Sequence, residues 1–82
     1  MIMVEVQIPV LDRKYDFKLD EYAEISVLIE EIVEMVCIKE QNTIGGDEKQ
    51  LMLFDINTAC VLEKFENLHN YGIRNGDRLI LV

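Results

Sequence analysis

Residues 25–41 have the sequence ISVLIEEIVEMVCIKEQ, and this stretch decides which fold the rest of the chain can adopt. Its apolar residues recur at the spacing of one helical face, which predicts an amphipathic helix over about 26–41 with Ser26 as its N-cap. The predicted buried stripe comprises Leu28, Ile29, Ile32, Val33, Met35 and Val36. Three glutamates, at positions 30, 31 and 34, fall on the opposite face. A single helix of this kind has to cover the apolar face of a sheet.

The segments on both sides of this helix alternate apolar and polar residues, as half-buried strands do. Two strands are predicted before the helix, with a turn over 9–13 and with inward residues Val4, Val6, Ile8, Tyr15, Phe17 and Leu19. After the helix we expect a loop over 42–48, a strand over 50–55, a short strand over 59–62, a short helical turn and a last strand over 78–82. This order predicts one α+β domain spanning 1–82, with the helix on one face of a mixed sheet and the first and last strands parallel.

The charge balance limits the kinds of partner. The chain has 16 acidic and 8 basic residues and a formal charge of −8, which argues against nucleic acid and anionic membranes, because both attract clustered basic residues. No apolar run approaches the roughly 20 residues needed to span a bilayer, so we expect no direct membrane insertion. The first residues lack the basic region of a signal peptide, so we expect a cytoplasmic protein with Cys37 and Cys60 as free thiols.

Nothing in the sequence predicts catalysis or a bound cofactor. His69 is the single histidine, and no recognisable pattern places a nucleophile or a carboxylate beside it. The glutamates of the helix are typical of a solvated face, since acid–base catalysis needs a partly desolvated setting. An iron–sulfur cluster needs four thiolates, and the chain has two cysteines. We therefore expect a non-enzymatic protein without a metal or cofactor.

The end of the chain carries a more specific signal. Residues 68–82 have the sequence LHNYGIRNGDRLILV, in which Asn75-Gly76-Asp77 is a strong turn signal. With the predicted order of elements, this phrase resembles the ubiquitin-like β-grasp superfamily, where a leucine, a tyrosine and an isoleucine anchor the turn before the last strand. Within it the chain is most similar to the YukD/EsaB family, small bacterial proteins encoded with type VII (WXG-type) secretion systems. The resemblance implies a cytosolic, non-conjugating accessory protein that contacts secretion components. The alternative is a small β-grasp subunit of a multicomponent enzyme such as a monooxygenase.

Ubiquitin and the β-grasp sulfur carriers act through a flexible C-terminal Gly-Gly. This sequence ends Leu81-Val82 inside the last predicted strand, and its Gly45-Gly46 pair is internal. We therefore expect neither conjugation nor sulfur transfer, unless a longer precursor exists.

The remaining functional signal is apolar surface. Four apolar residues stand in succession at 51–54, and periodicity alone leaves open which of them face the core. The ubiquitin-like register turns Met52 inward and Leu53 outward, and it leaves Ile80 and Val82 outside. The predicted partner-binding patch comprises Leu53, Ile80 and Val82, with Leu51 and Leu11 as further members. Such patches usually mark protein contacts, either with another protein or in a homodimer through the exposed sheet face, although scattered exposed aliphatic residues are the alternative.

Overall fold

The computed structural model describes residues 1–40 and 50–82, so the predicted loop over 42–48 and Gln41 lie outside the described residues. The described chain forms β1 (Ile2–Ile8), a short 3-10 helix (Pro9–Leu11), β2 (Arg13–Leu19), α1 (Ile25–Glu40), β3 (Leu53–Asp55), β4 (Cys60–Leu62) and β5 (Arg78–Leu81). The predicted short helical turn before the last strand is instead a succession of turns.

The strands form one mixed sheet in the order β2-β1-β5-β3-β4. The hairpin of β1 and β2 is antiparallel, and β3 runs antiparallel to both β5 and β4. The first and last strands, β1 and β5, are parallel. The prediction of a mixed sheet in which the first and last strands of the sequence lie side by side is therefore confirmed.

The core lies between α1 and one face of the sheet. Helix α1 buries Ile25, Leu28, Ile29, Ile32, Val33 and Val36. The sheet contributes the alternate residues Val4, Val6, Ile8, Phe17, Leu19, Leu53, Leu62, Leu79 and Leu81. The prediction that Met35 is buried is wrong, because Met35 lies at the edge of the apolar stripe, one turn after Glu31, and is 42% exposed.

The start of α1 is held by a loop rather than by a side-chain cap. The helix begins at Ile25, so Ser26 lies within the first turn and the predicted N-cap is wrong. The Ile25 N–H donates to the carbonyl of Glu66 at 2.9 Å, and the Ser26 N–H donates to the carbonyl of Lys64 at 3.0 Å. These two amides have no partner within the helix, so the loop satisfies them. A distant segment of the chain thus supplies what the sequence pattern assigned to a local residue.

The segment before β5 is fixed to β1. The Asn75 side-chain oxygen accepts from the Met3 N–H at 2.8 Å, and the Gly76 N–H donates to the Met3 carbonyl at 2.8 Å. Gly76 has a φ of +86°, which an L-residue rarely adopts, so the Asn-Gly turn signal is confirmed. Leu68 and Ile73 are buried, and they anchor this segment to the core.

Candidate functional site: the open face of the sheet

The sheet face that α1 does not cover carries a group of apolar side chains. Phe54 of β3 stands opposite Ile80 of β5 and opposite Val61 of β4. Two positions further along, Met52 and Val82 exchange two backbone hydrogen bonds, at 2.6 and 2.9 Å. Successive strand residues point to opposite faces, so these side chains share the open face. We call this group the open-face patch: Met52, Phe54, Val61, Ile80 and Val82.

The structure corrects the predicted parity of β3, that is, which of its alternate residues face the core. Leu53 is 0% exposed and pairs with the core residues Leu62 and Leu81, so the prediction that it faces outward is wrong. Met52, which was predicted to face inward, is 42% exposed. A shift of one residue exchanges the two faces of a strand, and an unbroken apolar run contains no alternation that would exclude the shift. Phe54, the middle of the patch, was missed for the same reason.

A polar residue two positions on from Leu53 is accommodated by this parity. Asp55 lies on the core side with Leu53 and is buried, yet its carboxylate oxygens accept from the Asn57 N–H at 3.1 Å and the Thr58 hydroxyl at 2.8 Å. A buried carboxylate is tolerated only when it is satisfied in this way. The sequence Asp55-Ile56-Asn57-Thr58 is compatible with this parity, because an aspartate that closes the following turn is able to occupy a buried position.

Two other predicted patch residues lie elsewhere. Leu11, in the 3-10 helix, and Leu51, before β3, are partly buried and pack against the core, so neither belongs to the open-face patch. Ile80 and Val82 lie on the open face, as predicted. Val61 was missed because a strand of three residues is too short to show a period.

The charges beside the patch differ from those of the chain as a whole. The outward positions of β1, β2 and β5 carry the basic residues Lys14, Lys18 and Arg78 and the acidic residues Glu5 and Asp16. The Glu5 carboxylate lies 3.9 Å from Lys14 Nζ and 3.5 Å from Arg78 Nε. Exposed ion pairs of this kind contribute at most about 1 kcal/mol to stability. Their importance here is that one carboxylate faces two cations next to Ile80.

A second polar cluster joins the end of α1 to β2. The Tyr15 hydroxyl donates a hydrogen bond to the Glu40 carboxylate, whose Oε1 also lies 3.6 Å from Arg13 Nε. Lys39 Nζ stands 5.1 Å from the centre of the Tyr15 ring. The hydrogen bond to Glu40, then burial and the charge of that carboxylate, raise the pKa of Tyr15 above its ordinary value, while Arg13 lowers it. These groups satisfy one another, so we interpret the cluster as a structural tie.

The other candidate groups are dispersed. The His69 ring is exposed and stands 5.0 Å from the Tyr22 ring, and both Cys37 and Cys60 are free. Within residues 1–40 and 50–82, no group of three His, Cys, Asp or Glu side chains is arranged to hold a metal ion. Over the same ranges, no helix has the length and apolar character required to cross a membrane.

Comparison with known proteins identifies relatives of this fold. Residues 3–81 match the family model described as WXG100 protein secretion system (Wss), protein YukD. The EccD5 ubiquitin-like domain from Mycobacterium xenopi superposes with a TM-score of 0.76 at 24% identity, covering 99% of this chain and 91% of that one. A ubiquitin-like domain from Arabidopsis thaliana gives 0.74 at 21% identity, covering 99% and 74% of the two chains. The ubiquitin of Caldiarchaeum subterraneum gives 0.69 at 15% identity, covering 98% and 89%. The search of curated proteins gives no significant match. The predicted ubiquitin-like β-grasp fold is confirmed.

Proposed function

This chain belongs to the YukD family of the WXG100 protein secretion system, and on that premise we propose that it is a protein-interaction module that supports or regulates type VII secretion. We place it in the cytoplasm as a non-enzymatic accessory protein. Of the two roles that the sequence left open, the family match supports the secretion role over that of an oxygenase subunit. The contact with a partner protein is our proposal, and the apolar surface of the molecule supports it.

The open-face patch is the observation that carries the proposal. Three of its apolar side chains come from three neighbouring strands of the uncovered face, and Met52 and Val82 adjoin the ends of β3 and β5, with Val82 52% exposed. Contiguous apolar groups of this kind usually mark contacts with other proteins. Burying them stabilises a complex by about 25 cal/mol for each Å² of apolar area removed from water, less the entropy that association costs.

The chemistry beside the patch indicates what binds there. Lys14 and Arg78 both lie near the carboxylate of Glu5, and the outward positions of β1, β2 and β5 carry three basic residues against two acidic ones, so positive charge next to Ile80 is only partly compensated. A partner segment with apolar residues at its centre and a carboxylate at its edge would bury the patch and complete this charge balance. We commit to such a segment of another protein as the occupant, and a homodimer through the same face is the competing outcome.

The test is secretion of WXG100 substrates in the native host, with variants placed at the gene's own locus. Ile80→Glu and Phe54→Glu put a charge into the patch, and each is expected to reduce secretion at least tenfold, the effect of about 1.4 kcal/mol at a contact. The matched control is Ile38→Glu, because Ile38 is an exposed apolar residue on the outer side of α1. Wild-type secretion is expected for the control.

Circular dichroism of the purified variants establishes that they fold, and light scattering of the wild type measures the mass in solution. A monomer whose patch variants fold but do not support secretion agrees with the proposal. Full secretion by both patch variants contradicts it. A dimer that Ile80→Glu dissociates would assign the patch to self-association instead.

A further inference from the structure

Phe65 presents an aromatic ring to solvent from a backbone that is held in place. Its side chain is 84% exposed, although it lies in the connection between β4 and β5 and not at a chain end. The residues on both sides of it are anchored, because the carbonyls of Lys64 and Glu66 accept hydrogen bonds from the first two amides of α1. Aromatic anchors on a pre-ordered backbone lose little entropy when they bind, and they are enriched at the energetic centres of interfaces.

A second exposed aromatic residue lies in the connection between β2 and α1, beside the connection that carries Phe65. Tyr22 is 65% exposed and its ring stands 5.0 Å from that of His69. The His69 N–H donates to the carbonyl of Glu21 at 3.0 Å, so the connection before α1 runs beside the connection that carries Phe65. The backbones of both residues therefore lie at the end of the molecule where α1 begins, on the helix side of the sheet. The open-face patch lies on the other side of that sheet.

The charge at this end is strongly negative. Residues 20–31 and 63–70 together carry seven carboxylates and one lysine. One of the carboxylates, that of Glu21, pairs with the N-terminal amino group at 3.1 Å. A shallow hollow of about 330 Å³ is lined by Glu63, Glu66, Asn70 and Tyr71. The first two of these residues lie within two positions of Phe65 in the sequence. The Asn70 side-chain amide donates to Glu66 Oε2 at 2.9 Å, which fixes the orientation of that carboxylate.

We propose that this Phe65 surface, comprising Tyr22, Glu63, Phe65, Glu66 and His69, docks a basic segment of a second protein. The Phe65 ring enters an apolar pocket of the partner, and a lysine or arginine of the partner enters the hollow between Glu63 and Glu66. This inference goes beyond the proposed function, because it concerns a contact separate from the open-face patch. Together the two contacts would make the chain a bridge between an apolar, acidic segment and a basic one.

The negative charge favours this occupant over the others. Nucleic acid and anionic lipid are repelled by the same carboxylates that attract a basic segment. A second copy of the chain would bring two acidic ends together, and close juxtaposition of like charges opposes association.

The test is an NMR titration of the isotope-labelled protein with a synthetic lysine–leucine amphipathic peptide. Its glutamate–leucine counterpart serves as the control for apolar binding. The lysine peptide is expected to shift the amides of residues 20–31 and 63–70, and the glutamate peptide is expected to leave them unchanged. Phe65→Ala and Glu66→Gln are each expected to weaken the affinity about fivefold or more, as hot-spot truncations do.

Glu34→Gln is the matched variant, since it removes the same charge from an exposed position on the outer side of α1. It is expected to change the affinity less than about twofold, because an exposed charge outside the contact is screened. Equal losses of affinity for Glu34→Gln and Glu66→Gln would mean that the peptide responds only to the net charge of the protein, which would contradict a specific surface. An unchanged affinity in Phe65→Ala would also overturn the proposal.

The same titration in an Ile80→Glu background separates this inference from the proposed function. Unchanged shifts at the Phe65 surface agree with two independent contacts. Shifts that occur at the open-face patch in the wild type and vanish in this background would assign the peptide to the patch and refute the Phe65 surface.

Discussion

The open-face patch and the Phe65 surface expose apolar side chains in two different ways. In the patch, a ladder of hydrogen bonds between three strands sets the positions, so each side chain faces outward because its neighbours in the strand face the core. At the Phe65 surface no strand is involved, and a few hydrogen bonds from the start of α1 hold the loop. In both regions the backbone is held, by a sheet in one and by a helix end in the other, and a held backbone lowers the entropy cost of binding.

The two regions also differ in charge. The outward strand positions beside the patch carry three basic and two acidic residues, whereas the segments around Phe65 carry seven carboxylates and one lysine. The overall charge of −8 therefore describes neither surface well. A molecule divided in this way is suited to partners of opposite character on its two sides.

The largest expected effect separates the patch from the core directly beneath it. Leu53→Ala is expected to lower the free energy of unfolding by about 2–5 kcal/mol, because a fully buried leucine leaves a cavity. Phe54→Ala removes a larger side chain that is only partly buried, and it is expected to cost less than half as much. Urea unfolding followed by circular dichroism measures both. Equal losses would mean that Phe54 belongs to the core and that the patch lacks its centre.

A smaller effect distinguishes the two surfaces by their response to salt. The Debye length falls from about 10 Å at 0.1 M to about 3 Å at 1 M ionic strength, which screens exposed charges. Binding of the lysine peptide at the Phe65 surface is expected to weaken about tenfold over this range, since it depends on several carboxylates. A complex formed through the open-face patch is expected to change about twofold or less, since apolar burial dominates it. Titrations at the two salt concentrations measure this difference, and similar salt dependence at both surfaces would contradict the division of charge.

The smallest effect concerns the tie between Tyr15 and Glu40, which belongs to neither surface. The pKa of Tyr15 is raised in the folded protein, so its contribution to stability is fully present below the unfolded pKa of about 10 and is lost as the pH rises through the folded value. Tyr15→Phe is expected to remove this alkaline loss while leaving lysine-peptide binding unchanged. Urea unfolding between pH 8 and pH 11, roughly, measures the difference. Parallel pH profiles for the wild type and the variant would show that the tie does not contribute.

The local sequence pattern predicted burial and exposure correctly wherever one face of an element was clearly polar. The alternation around Val4 and Phe17 placed both in the core, and the glutamates of α1 placed its outer face in solvent. Predictions were wrong where the pattern was ambiguous: Met35 lies at the edge of the apolar stripe, and Leu53 lies in an unbroken apolar run. The Ser26 cap failed for another reason, because the atoms that hold the helix start come from a loop about forty residues away in sequence.

The sequence by itself determined the main helix, the five strands, their order, the Asn75-Gly76 turn and the membership of a family, since each depends on residues that are near neighbours or on a phrase of fixed spacing. Tertiary structure alone decided the parity of β3, the exposure of Phe65 and the separation of charge between the two sides of the sheet. These properties depend on which distant residues meet. Strand β3 acquires an inner and an outer side only when it has paired with β4 and β5 and α1 has covered one face of the sheet.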